Sequence, residues 1–580
     1  MAFDGIVTKA IASELQNLSG ARIDKIFQPN KNDIVLGFYL NGINYALNIC
    51  IDSQNCRLNL TTHSKSNPKV APNFCMLLRK YLLGLRIKNV ITSNLERLVV
   101  IEFEGLDDID DLITEKLIIE LMGRHSNIIL LDDNNTILDS LRHTRSELDS
   151  FRNIIPHVKY VFPTTEKQNF LHVRDFEDFY SKLNCGNLNN LPIENLPKII
   201  SNTFNGISKS FIEAIIYTLE IDSVDKHSIE KIYNYIINVI NNIDSNNLKF
   251  EYYKKDYFLC TLNENYEPFN LNFFIDDFYY KKETSEQFKS YRDSVLKLIL
   301  GKLKKYNTRL SHINEKLKDC ENMDTYKLYG ELITANLYKI PNHNLESIEV
   351  ENYYDNNNLV TIPLDKKYLP SINAKKYFKK YNKLKNTLEI VTVQKKDTLN
   401  ELDYIESIVY ELQKSETIED VSDIYEEISE NIIFKETNQQ SKKSYKLKKS
   451  KLTKNKTVSF NPIKYKIDNY TVLVGRNNKE NDYLTLKYAK KTDIWFHTKD
   501  IHGSHVILQL DGLPIPNYDI LIKCAQIAAY HSKASSSSNV PVDFCEVKYV
   551  KKPAGSKPGM VIFTNNETLN VNPYDFKMSH

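Results

Sequence analysis

The chain has 580 residues, 42% hydrophobic and 26% charged, enough for several cores and roughly three to five domains by length. Its 16 glycines fall well below the ~7% average and form no GxxxxGK[ST] or GxGxxG run, which weighs against ATP or dinucleotide chemistry. No stretch reaches the ~20 consecutive apolar residues of a membrane span, the first twenty residues carry Asp4, Lys9 and Glu14, and the eight cysteines never form CxxC; the reading is a cytoplasmic protein with no signal peptide, disulfide framework or zinc site.

The first ~175 residues read as mixed α and β. Ile34, Leu36, Phe38 and Leu40 alternate, Asn41-Gly42 supplies a tight turn, and Tyr45, Leu47, Ile49 and Ile51 alternate back, which predicts a hairpin. A helix is expected after Pro72, then a strand from Leu95 to Phe103, then two strands around Asp132 to Asn135. On that strand Arg97 would share a face with Leu95, Val99, Ile101 and Phe103, so it must sit at a rim or be paired. From 176 to 282 the pattern turns mainly helical. Ile199, Ile200 and Phe204 lead through Asn205-Gly206 to Phe211, Ile212 and Ile215, the outline of a helix-hairpin-helix whose turn could hold a phosphate on backbone N–H groups, or of a plain αα-hairpin.

Residues 283–436 carry two heptad stretches around a short strand-like insert at about 340–370. Leu296, Ile299, Leu303, Tyr306, Leu310, Ile313, Leu317 and Cys320 alternate three and four apart. Tyr377, Tyr381, Leu384, Leu388 and Val391 repeat the pattern, Lys395 and Thr398 interrupt it, and Leu402, Ile405, Val409 and Leu412 resume. Two such helices of ~50 residues predict an antiparallel coiled-coil arm ~75 Å long. Excising the insert is expected to leave the rod folded, because the seam lies outside it.

Acid dominates from Glu416 to Glu436, and then Lys442, Lys443, Lys446, Lys448, Lys449, Lys451, Lys454 and Lys456 follow with no acid among them. Such density in a linker (437–460) suits phosphate, since each neutralised phosphate releases counterions. Residues 461–580 read as a small αβ domain, with strands at Tyr470–Val474 and Leu484–Leu486 and a small-residue helix from Ile520 to His531. His497, His502 and His505 have no cysteine or spaced carboxylate to complete a metal site. Beside Lys499, Lys533 and Arg476 they read as hydrogen-bond donors to phosphate or 2'-OH groups, with Trp495 in the core.

Several blocks in order resemble the NFACT family over the whole chain. They are Met1-Ala2-Phe3-Asp4-Gly5, Ala21-Arg22-Ile23-Asp24-Lys25-Ile26-Phe27-Gln28-Pro29, Phe74 to Lys80, Met122-Gly123-Arg124-His125-Ser126-Asn127, Gly330 to Leu337, Tyr377 to Lys385, Asp493-Ile494-Trp495-Phe496-His497 and Gly503-Ser504-His505-Val506, with Lys551-Lys552-Pro553 through Lys557-Pro558-Gly559 near the end. The resemblance implies an α+β multidomain fold: a glycosylase-like αβ N-terminal domain (1–175), a helix-hairpin-helix domain (176–282), the coiled-coil arm, the lysine linker and a C-terminal RNA-binding domain. It implies a ribosome quality-control factor whose partners are the large ribosomal subunit with peptidyl-tRNA, alanine tRNA and a small RNA-binding accessory protein. Such proteins support untemplated alanine tailing of stalled chains. They are not enzymes and use no cofactor, because ribosomal RNA forms the bond. Bacterial members have also been labelled fibronectin-binding proteins, so a cell-surface adhesin is the alternative.

By the same resemblance, Glu96, Arg97, Arg124 and His125 are expected to bind tRNA for tailing. Arg476, His497, His505, Lys551, Lys552, Lys557, Lys442, Lys443, Lys448 and Lys449 are expected to bind RNA. Two positions depart from the family. Glu96 stands where it has aspartate, one methylene shorter, and His502 stands where proline usually precedes Gly-Ser-His. The glycosylases to which the N-terminal domain is related use an N-terminal proline amine; Ala2 occupies that place and removes the nucleophile.

Overall fold

The computed structural model describes residues 3–106, 111–144, 152–183, 192–245, 247–262, 270–341, 345–433 and 460–574. The chain divides into two compact units, Met1–Thr284 and Ser285–His580, each mixing α and β.

The first unit is built on a nine-stranded sheet: β1 (Arg22–Asn30), β2 (Asp33–Leu40), β3 (Ile43–Cys50), β4 (Arg57–Leu60), β5 (Arg86–Thr92), β6 (Leu98–Leu106), β7 (Leu112–Glu120), β8 (Asn127–Leu131) and β9 (Ile137–Ser140), in spatial order 4-3-2-1-5-6-7-8-9. The expected hairpin is β2–β3. Leu40 pairs with Ile43 across two residues of positive φ, Asn41 (50°) and Gly42 (85°), the turn whose twist matches that of its strands. Helix α1 (Gly5–Leu15) is capped by Asp4, which accepts from the N–H of Val7 at 3.1 Å, and buries Ile6, Val7 and Ile11. Helix α2 (Asn73–Leu82) follows Pro72 as expected. Beyond α3 (Phe176–Lys182), helices α4 (Leu196–Thr203) and α5 (Lys209–Thr218) flank Gly206 at φ +80°, and α6 (Lys226–Asn241) leads to the hairpin β10 (Leu248–Tyr253) and β11 (Asp256–Thr261).

The strand expected from Leu95 begins three residues later, at Leu98. Asn94 (φ 52°) and Leu95 (φ 58°) are left-handed, which no strand accommodates, so Glu96 and Arg97 belong to the turn before β6.

Helix α7 (Leu271–Cys320) runs from the first unit into the second. There it pairs antiparallel with α9 (Pro370–Lys414): the Cys320 thiol lies 3.6 Å from the Leu384 carbonyl, while Val295 and Ile299 share a core with Tyr404, Ile405, Ile408 and Leu412 and with Val421 and Ile424 of α10 (Ile418–Ile428). Thr398 does not interrupt the seam. It is 1% exposed and its hydroxyl donates to the Gln394 carbonyl at 2.7 Å, so the polar group enters at no hydrogen-bond deficit.

The strand-like insert forms a hairpin and shares a core with the helices beside it. Helix α8 (Met323–Ala335) packs beside α9, and Leu332 and Ile333 form one core with Ile340, Ile348, Val350, Ile362 and Ala374, drawn partly from strands β12 (Ser347–Asn352) and β13 (Asn358–Pro363). Excising about 340–370 would strip that core, contrary to the sequence expectation. Gly330 of α8 permits the close approach, because a Cβ there would sit 2.9 Å from the Phe378 ring.

The C-terminal domain has a six-stranded sheet of β14 (Ile463–Ile467), β15 (Tyr470–Val474), β16 (Ile494–Thr498), β17 (Val506–Gln509), β18 (Val540–Glu546) and β19 (Glu567–Val571), in order 14-15-17-16-18-19. Helix α12 (Tyr518–Tyr530) covers one face, burying Cys524, Ala525 and Ala528. No strand forms at Leu484–Leu486. Asn477 caps α11 (Asn478–Tyr483) by accepting from the Glu480 N–H at 2.9 Å, and the chain continues as a π-turn that buries Leu484.

Candidate nucleic-acid interface

In the first unit one corner gathers four of the expected residues. The Gly5 N–H donates to the Gly206 carbonyl at 2.9 Å, and the Leu95 carbonyl lies so close that an added Cβ would come within 1.8 Å of it at Gly5 and 2.3 Å at Gly206. The start of α1, the turn before β6 and the α4–α5 turn are thereby locked around Leu95, which is fully buried. Its left-handed backbone is held against its own preference by that burial. Glu96 and Arg97 follow, half-buried. The Arg97 carbonyl accepts from Leu121 N–H at 2.8 Å, which sets the next turn beside it, and on that turn Arg124 and His125 are exposed, with Arg124 Nε donating to His125 Nε2 at 2.9 Å.

Burial pushes the Glu96 carboxyl above the usual carboxylate range. Lys167 joins the corner: its ammonium donates to the Ser201 carbonyl of α4 at 2.7 Å, and burial, followed by the charge of Arg97, lowers its pKa. Two cations near one another are suited to an anion. Below them Glu120, fully buried, is held by Arg152 and by the Tyr160 hydroxyl at 2.7 Å, a structural pair. Sequence reasoning missed Lys167 because its partners lie 70 residues before it and 34 after, with no local pattern between them.

The C-terminal candidates divide. Arg476 turns its guanidinium onto Glu480 (3.0 Å) and Asp420 of α10 (3.1 Å), Lys552 pairs with Asp482, and Lys557 donates to Glu401 of α9 at 3.0 Å while lying over the Tyr404 ring. Arg476 and Lys557 thereby tie the domain to the base of the arm, while Lys552 is engaged within the domain. Lys551 is exposed. Two of the histidines are buried in the domain. Burial depresses His497 to about 4 and His505 to about 3; His505, 1% exposed, places Nδ1 2.8 Å from the Thr485 hydroxyl, and His497 stacks on Trp495. His502 faces Asp403 (3.5 Å) and Glu406 (3.8 Å) of α9. Lys442, Lys443, Lys448 and Lys449, with the rest of the lysine run and Ala2, lie outside the described residues. Among the described residues no group of three His, Cys, Asp or Glu could hold a metal ion, and no helix is long and apolar enough to cross a membrane.

The family model for NFACT N-terminal and middle domains matches residues 4–446, and that for the NFACT protein RNA binding domain matches residues 456–565. The chain is 33% identical over 583 residues to the Rqc2 homolog RqcH of Bacillus subtilis, covering 99% of this chain and 98% of that protein. It is 32% identical to the Rqc2 homolog RqcH of Streptococcus suis, covering 100% and 99%. Among solved structures, the C-terminal part of the fibronectin/fibrinogen-binding protein from Streptococcus suis is 29% identical and covers 50% of this chain and 98% of that one, with a TM-score of 0.37.

Proposed function

This chain belongs to the NFACT family, and from that membership we propose that it is a ribosome-associated quality-control factor. It binds large ribosomal subunits that retain peptidyl-tRNA, recruits alanyl-tRNA and supports untemplated addition of alanines to the stalled chain, which marks it for degradation. Bond formation belongs to the ribosome; the protein binds and positions RNA.

The observation that carries the reading is the corner that brings Glu96-Arg97 beside Arg124-His125 and Lys167. A guanidinium offers a planar fork to phosphate or a base edge, and a neighbouring carboxylate can accept from an exocyclic amine or a 2'-OH. Glu96 reaches one methylene further than the family's aspartate, enough to shift such a bond by about 1 Å and to weaken tailing. Cations of the lysine run add a sequence-independent hold on RNA.

Sequencing the RNAs that cross-link to the protein in cells tests this directly. Enrichment of alanine tRNA together with large-subunit RNA is the expected result. Absence of both, with the protein cleaved by protease added to intact cells, would favour the adhesin instead.

A further inference from the structure

Between α9 and the C-terminal sheet of the second unit lies a cavity of about 800 Å³, within the range of small-ligand sites. Its walls include Tyr410 and Glu411 of α9, Trp495 and His497 of β16, His505, and Phe563. Three of these present buried polar atoms with no protein partner: the Tyr410 hydroxyl, Glu411 Oε2 and the Trp495 indole Nε1. Their side chains are 9%, 8% and 0% exposed. A buried donor or acceptor left unpaired is costly, and three lining one cavity point to a ligand that supplies the missing bonds.

The chemistry narrows the ligand. The indole can only donate, while the hydroxyl can donate and accept. Burial raises the Glu411 carboxyl well above the usual carboxylate range, which favours the form that can donate as well as accept, and lowers His497 to about 4 and His505 to about 3, which favours the neutral rings. Of the cations at the wall, Arg476 is engaged by Glu480 and Asp420 and Lys414 by the Tyr530 carbonyl at 3.1 Å, while the exposed Lys499 shares the wall with Asp403, Asp500 and Asp543. A phosphate would meet these three carboxylates as well as Lys499, so the wall does not favour an anion. An uncharged ring with donors and acceptors along one edge suits an aromatic, hydrogen-bonding wall whose charges of both signs offset one another. We propose that this cavity is a nucleobase pocket, which receives one unstacked base of bound RNA or the base of a free nucleotide.

The inference rests on the RNA-binding reading above and deepens it. Trp495 is the chain's one tryptophan, so its emission in the full-length protein reports on this cavity alone. The probes are AMP, GMP, CMP and UMP, ribose 5-phosphate, and a single-stranded RNA oligomer with and without abasic sites, with filter retention of each RNA measured in parallel. At least one nucleotide or the intact RNA should change the emission, and ribose 5-phosphate should not. A response to mononucleotides identifies free nucleotide as a sufficient ligand; a response to intact RNA alone identifies a base presented on a strand. Tyr410→Phe should weaken that binding about fivefold to tenfold without lowering Tm, since the hydroxyl makes no bond in the free protein. RNA retained with no change in Trp495 emission, an equal response to ribose 5-phosphate, or unchanged affinity in Tyr410→Phe would each overturn the pocket while leaving RNA binding intact. No retention of RNA and no response to any probe would overturn both readings.

Discussion

Arg97 does two jobs with two different groups. Its carbonyl braces the β6–β7 corner through the Leu121 N–H, while its half-buried side chain approaches Lys167. The backbone bond does not depend on residue type, so Arg97→Ala should fold. A substitution at a half-buried side chain costs on the order of 1 kcal/mol, and thermal melting should fall by roughly 2–4 °C. Arg97→Lys should restore tailing in part, because an ammonium keeps the charge but not the fork. Glu96→Asp, which restores the family's pair, should tail as well as the parent or better in the same assay.

His505 gives a residue-scale prediction with a definite sign. Its folded pKa of about 3 lies below the ordinary value of 6.5 because burial disfavours the cation. Between those values the unfolded chain binds a proton that the folded chain refuses, so stability falls as pH drops, by up to about 1.4 kcal/mol per pH unit. Glu411 and Glu427 run the other way. Their carboxyls are raised by burial, so the stability they contribute is present below the ordinary value of 4.5 and is lost as pH rises through their folded pKa. Comparing denaturation of the parent and His505→Asn from pH 7 to pH 5 isolates the histidine. The parent should lose more stability over that window than the variant.

At the scale of elements, the β2–β3 turn, α2, the α4–α5 hairpin and both long helices were legible because each is written in a local pattern. What was not legible depends on distant partners. Leu95 reads as the first residue of a strand, and only Gly5 and Gly206, remote in sequence, hold it left-handed. Leu484–Leu486 reads as a strand by composition, yet the Asn477 cap upstream commits it to helical geometry. Arg476 and Lys557 look like RNA-binding cations because the acids that claim them, Asp420 and Glu401, lie on α10 and α9. The Leu95 lock makes a stability prediction: Leu95→Ala should cost about 2–5 kcal/mol, as large-to-small changes at full burial do. Gly206→Ala should also destabilise, since the new Cβ would meet the Leu95 carbonyl and φ +80° disfavours it. Chemical denaturation of residues 1–284 would measure both.

For the whole molecule, the proposed hold on the large subunit is largely electrostatic, so affinity should fall steeply with salt. Replacing Lys442, Lys443, Lys446, Lys448 and Lys449 by glutamine should reduce the slope of log K against log[salt] by about one for each lysine that neutralises a phosphate. An unchanged slope would make the run a spacer. Tailing, in contrast, is assigned to the corner of the first unit. The most direct test is a nascent-chain tailing assay on purified large subunits bearing peptidyl-tRNA, run for the parent and Arg97→Ala beside co-sedimentation of each. The account predicts that Arg97→Ala co-sediments with subunits like the parent and adds no alanine. Normal tails from that variant, or its failure to fold, would contradict the assignment of this corner to tRNA.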